Sequence, residues 1–179
     1  DAPLKTKLLG ALTSEEDVFE NKTYNKAFDD SAKLLQSHAF SLDILGDGSH
    51  NRIMSITVVG GVDVLTKVDW IDQKKVDESS AEWAGIREDL LGTGTGALVS
   101  TEDIFDSHVY NKAFTETQTL KSHTASIDVS GDGSQNRIKS WQLKLGSETG
   151  KIDWIDQSLS ADAPLKTKLL GALTSEEDV

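Results

Sequence analysis

Phe40, Leu42 and Ile44 alternate with Ser41 and Asp43, and 85 residues later (125 − 40) Ala125, Ile127 and Val129 alternate with Ser126, Asp128 and Ser130. A period of two places apolar side chains on one side of an extended chain, so each stretch predicts a half-buried strand. Gly46-Asp47-Gly48-Ser49 and Gly131-Asp132-Gly133-Ser134 supply the backbone freedom for a reversal. Second strands follow at Met54, Ile56 and Val58, and at Trp141, Leu143 and Leu145. Turns at Gly60-Gly61 and Gly146-Ser147 then return the chain into Val68-Asp69-Trp70 and Ile152-Asp153-Trp154, which predicts an antiparallel meander. Ahead of each meander, apolar residues spaced near four lie between a capping residue and a glycine. Asp1 precedes Leu4, Leu8, Leu9 and Gly10, and Ser80 precedes Trp83, Ile86, Leu90, Leu91 and Gly92. These predict short helices over 2–9 and 80–91. Thr93-Gly94-Thr95-Gly96 reads as a flexible surface loop.

The two stretches belong to a wider repetition. Residues 1–18 recur without change at 162–179, a period of 162 − 1 = 161 residues, which also predicts a third helix over 163–170. Inside that unit an older duplication aligns Tyr24-Asn25-Lys26-Ala27-Phe28 with Tyr110-Asn111-Lys112-Ala113-Phe114, an offset of 86, and Asp69-Trp70-Ile71-Asp72 with Asp153-Trp154-Ile155-Asp156, an offset of 84. The expected organisation is a first β module over 1–82, a second over 83–161 and the start of a third over 162–179, as in an array of repeated supersecondary units. The fold class is then mainly β, with tandem antiparallel β-sandwich-like modules joined by short helices, cut from a longer chain. Modules of about 80 residues have thin cores, so neighbours are expected to pack. Ile86, Leu90, Leu91 and Leu98 are expected to lie against the first module, and Leu165, Leu169, Leu170 and Leu173 against a neighbour.

Charge narrows the partners. Thirty acidic against 18 basic side chains give a net charge of −12, which disfavours nucleic acid and anionic membrane surfaces. No apolar run is long enough for membrane insertion. The absence of cysteine excludes disulfides and thiol chemistry.

Candidate chemistry is sparse. His38, His50, His108 and His123 lack ligand spacing and read as polar surface residues. Asp69 with Asp72, and Asp153 with Asp156, offer carboxylate pairs, but residues three apart in a strand point to opposite faces. The Gly-Asp-Gly loops read as plain turns, with calcium as the alternative: Asp43 and Asp47, or Asp128 and Asp132, together with loop carbonyls, provide some of the oxygens that this cation needs. No other cofactor is implied. Trp70 and Trp154 occupy matching places and read as core residues, or alternatively as stacking platforms for a sugar ring. Asn21-Lys22-Thr23 is an N-glycosylation sequon, meaningful in a secreted eukaryotic protein.

Gly46-Asp47-Gly48-Ser49-His50-Asn51-Arg52-Ile53 followed by Val68-Asp69-Trp70-Ile71-Asp72, with its counterpart over 131–138 and 152–156, resembles the central strands of jelly-roll, carbohydrate-binding-like modules of bacterial secreted and surface proteins. The resemblance implies a sandwich and an extracellular or cell-surface setting. The expected function is a structural or adhesive segment of a fibre, stalk or adhesin, not an enzyme, whose partners are neighbouring copies of its own repeat or other chains in a fibre. The alternative is a multivalent array that binds glycans.

Overall fold

The computed structural model describes residues 2–25 and 33–159. Helix α1 (Ala2–Leu9) precedes strands β1 (Phe19–Tyr24), β2 (Leu35–Asp43), β3 (His50–Val59) and β4 (Val62–Lys75). Helix α2 (Ile86–Leu91) precedes β5 (Ile104–Tyr110), β6 (Leu120–Asp128), β7 (Gln135–Lys144) and β8 (Ser147–Ser158). All eight strands form one antiparallel sheet in chain order. The sheet passes without a break from β4 to β5, where six residue pairs from Trp70–Tyr110 to Lys75–Phe105 stand opposite one another. The registers of the two sequence copies agree: Arg52 faces Asp72 as Arg137 faces Asp156, and bulges fall at Ile56/Thr57 and at Trp141/Leu143.

The described residues make one open sheet where a sandwich was expected. Two helices, rather than a second sheet, cover its apolar face. Leu8 of α1 sits fully buried against Leu42, Ile44 and Trp70, and the cluster continues into Tyr110 at the end of β5 and Ala113 and Phe114 beyond it. Ile86, Leu90 and Leu91 of α2 pack with Ile104, Ala125, Ile127 and Val129. The expectation that α2 lies on the first copy is therefore corrected. Its apolar stripe faces the strands that follow it, as that of α1 does, and of the first copy only Val76 enters that buried cluster. The joint between copies is made by strand pairing and by the Ala113-Phe114 plug.

Glycines in left-handed conformation mark the end of α1 and the start of α2. Gly10 closes α1 at φ +60, where its amide donates to the Thr6 carbonyl at 3.0 Å. A Cβ on Gly10 would stand 3.0 Å from both Cβ and O of Phe114, so the plug seats only against glycine. The helix expected over 80–91 is shorter, because Gly85 is left-handed and turns occupy the residues before it. The helix expected over 163–170 lies outside the described residues, as do Leu165, Leu169, Leu170 and Leu173. Among the described residues no helix is long and apolar enough to cross a membrane.

The β3–β4 turn has left-handed residues at Gly60 and Gly61, the pattern of a type I′ hairpin, whereas β7–β8 places Leu145 (φ 53) and Gly146 there. Leu145 is almost fully exposed and makes no compensating contact in the buried clusters. A left-handed leucine costs about 1 kcal/mol. Leu145→Asn is expected to raise stability by roughly that amount in urea denaturation, whereas Leu8→Ala is expected to lower it by about 2–4 kcal/mol.

Candidate functional site

On the helix-covered face, each sequence copy builds a histidine held between two carboxylates. In the first, His38 of β2 lies 2.8 Å from Asp63 through Nδ1 and 2.9 Å from Glu20 through Nε2. In the second, His123 of β6 lies 2.6 Å from Glu148 through Nδ1 and 2.7 Å from Asp106 through Nε2. Strand register produces this: Lys22 and His108 stand opposite the two histidines, so the acid two residues before each, Glu20 or Asp106, reaches the ring along the same face. Both histidines are buried, which corrects the reading of all four as surface residues. Their spacing showed no motif, because the partners come from strands 17 to 25 residues away.

The second box is the more enclosed. The His123 ring stacks between Trp141 (3.8 Å between centroids, 6° between planes) and His108 (4.0 Å, 19°). Burial disfavours a charged His123, but hydrogen bonds to Asp106 and Glu148 and their charges outweigh it, and the pKa rises above its usual 6.5. Burial likewise disfavours ionised Asp106, yet the hydrogen bonds from His108 and His123 and the positive charge on those rings bring it down to about 2. Asp106, His108 and His123 present ligand atoms within 4.8 Å of one another, close enough for a divalent cation. Both nitrogens of His123 already serve carboxylates and both of its faces are covered, so this arrangement is built as an ion pair.

The loops singled out for calcium are closed by their own amides. Asp43 accepts from the amides of Gly48 at 2.6 Å and Leu45 at 3.3 Å, and Asp47 accepts from Ser49 at 2.9 Å. Asp128 accepts from Gly131 and Gly133, and Asp132 from Ser134. The Ser49 and Ser134 hydrogen bonds hold the Asp47 and Asp132 carboxyls below their ordinary range. A third acid approaches each loop unannounced by sequence: the carboxylate of Glu16 comes within 2.8 Å of where a Cβ on Gly46 would stand, and that of Glu102 within 2.9 Å at Gly131.

The carboxylate pairs separate as strand geometry requires. Asp69 pairs with Lys121, while Asp72 turns to the opposite face and accepts from His50 at 2.7 Å and Arg52 at 3.0 Å. Burial works against the Asp72 anion, but these partners prevail and lower its pKa. Asn21 lies exposed on β1, its amide 3.4 Å from Ser41 Oγ. Trp70 is 6% exposed and offers no open ring face, with Phe114 edge-on at 6.1 Å. Trp154, its counterpart on β8, is 54% exposed. Beside it lies a cavity of about 240 Å³ lined by Asp89, Leu90, Arg137, Ile138, Ile155 and Asp156. Comparison of the chain with protein-family models, with curated proteins and with solved structures finds no match.

Because folding raises the pKa of His123, its contribution to stability is complete below about pH 6.5 and is lost as pH climbs through the raised value. Asp106 contributes above its usual 3.8 and loses that contribution only as pH falls through about 2. His123→Gln should therefore cost about 2 kcal/mol in urea denaturation at pH 6, with a gap that narrows toward pH 9.

Proposed function

We propose that this chain is a structural segment of a tandem-repeat fibre or stalk, set outside the cell or on its surface, in which identical 161-residue units follow one another. The observation that carries this reading is the β4–β5 joint: two diverged sequence copies share one sheet through six opposed residue pairs instead of meeting at a loose linker. The perfect recurrence of residues 1–18 at 162–179 supports a recent duplication of the whole pair. The charge of −12 favours solubility of a long assembly. The enclosed histidine boxes support a packing role for the ionisable groups, so the reading includes no catalysis and needs no cofactor; calcium at the acidic loops would be an accessory to it.

A second reading rests on Trp154. An open indole beside Arg137, Asp89 and Asp156 has the chemistry to stack on a sugar ring and bond its hydroxyls, which supports a multivalent glycan-binding array. The two readings differ in what covers that ring.

Eight strands spaced about 4.8 Å apart advance roughly 38 Å per unit. Small-angle scattering from chains of one, two and three units should show the longest dimension rising by about that amount with each unit. Growth as the square root of unit number would sink the fibre reading. A glycan screen of the single chain that registers binding lost in Trp154→Ala would replace it with the second.

A further inference from the structure

Each edge of the sheet can be compared with an inner strand at the matching place of the other sequence copy. β8 matches β4 at an offset of 84 residues, and β1 matches β5 at 86. β4 has neighbours on both sides, whereas β8 has β7 alone. The same Asp-Trp-Ile-Asp run consequently differs in exposure: Trp70 is 6% exposed against 54% for Trp154, and the Asp72 side chain 12% against 53% for Asp156. At the other edge Phe19 is exposed, while its match Phe105 is half-buried opposite Lys75.

We infer that β8 is the seat for β1 of a second copy of this unit, which joins it antiparallel with Trp154 opposite Tyr24 and Leu159 opposite Phe19. The inference rests on the array reading above and names its joint.

Register carries over directly. Trp70 faces Tyr110, Ile71 faces Val109, Asp72 faces His108 and Lys75 faces Phe105. Adding 84 to the β4 numbers and subtracting 86 from those of β5 places Trp154 against Tyr24, Ile155 against Thr23, Asp156 against Lys22 and Leu159 against Phe19. The chemistry suits each pair. Asp156 meets an ammonium group where Asp72 meets an imidazole, and exposed Leu159 and Phe19 meet as an apolar pair where Lys75 meets Phe105. A slip of one residue would send every one of these side chains to the wrong face.

The cavity beside Trp154 supplies the second, independent observation. In the first copy the corresponding place, between the end of α1, Arg52 and Trp70, is filled by Ala113 and Phe114, with the guanidinium of Arg52 4.0 Å from the Phe114 ring centroid. Arg52 there also donates to the carbonyls of Leu8 and Leu9 at 3.0 and 2.6 Å. Arg137, its counterpart, reaches the Leu90 carbonyl only at 3.4 Å, and its buried Nε, although 2.9 Å from Asp156, has no aligned hydrogen bond. The socket is present and its arginine is under-used. The Tyr-Asn-Lys-Ala-Phe run that carries the plug at 110–114 is repeated in sequence at 24–28, so the strand that pairs with β8 continues into the same sequence. Such a contact joins opposite edges, head to tail, and does not close on itself.

The test uses a chain of two units, residues 1–161 followed by 1–179, which has no native cysteine. Ile155→Cys in the first unit with Thr23→Cys in the second should oxidise to an internal disulfide in most molecules, whereas Ile155→Cys with Asn21→Cys, two residues out of register, should stay reduced. Equal cross-linking of both pairs, or of neither, overturns the inference, as does a bridge between two Ile155→Cys sites of separate chains, which would mean that β8 pairs with β8. Hydrogen exchange on the unsubstituted two-unit chain guards against a folding defect in the variants. Residues 152–158 of the first unit should exchange at least tenfold more slowly than the same residues of the second, which remain an edge, and equal rates overturn the joint. A chain that lengthens by a unit in scattering without the specific disulfide keeps the fibre and loses this joint. The disulfide without lengthening keeps the joint and loses the fibre.

Discussion

The pairing of β4 with β5 is the constraint on which the rest depends. It satisfies the backbone groups of two strands that would otherwise be edges, and it brings Tyr110, Ala113 and Phe114 over Trp70 and the end of α1. Without that plug, the first core would consist of one short helix resting on a few strands. The plug also dictates local sequence: Gly10 because Phe114 leaves no room for a Cβ, and Arg52 because its guanidinium spans the helix end, Asp72 and the Phe114 ring at once. Local features that look independent along the chain are thus parts of one joint.

A sheet covered on one side by two short helices buries few large side chains, and polar pairs share the interior with them. His38 and His123 occupy core positions that an aliphatic residue could fill, yet each is held by two carboxylates. Such pairs gain little net stability once desolvation is counted, but a strand shifted along its neighbour would part each histidine from its carboxylates. Their effect is on register, to which they add beyond what the alternation over one buried face already specifies.

The hairpins β2–β3–β4 and β6–β7–β8 were legible in sequence, since period-two alternation and glycine turns are local signals. β1 and β5 were not. Phe19-Glu20-Asn21-Lys22-Thr23-Tyr24 has no apolar alternation, because its strand is specified by what lies beside it. The face that α2 covers was misjudged for a related reason: apolar spacing gives the stripe but not its direction. The opposed carboxylates of Asp69 and Asp72 followed from strand geometry alone, whereas the histidine boxes did not, because four strands separated in sequence must be aligned before they exist.

Strands that follow one another in chain order, each bonded to the next, would lie across the axis of the proposed array, and their hydrogen bonds would lie along it. Tension applied to the ends of such an assembly loads those bonds one ladder at a time, so it peels instead of shearing. Each unit that yields releases slack: about 38 Å of folded ribbon becomes on the order of 500 Å of extended chain. An array joined in the proposed way would hold its length under small loads and lengthen in steps under large ones, absorbing work before any covalent bond is strained.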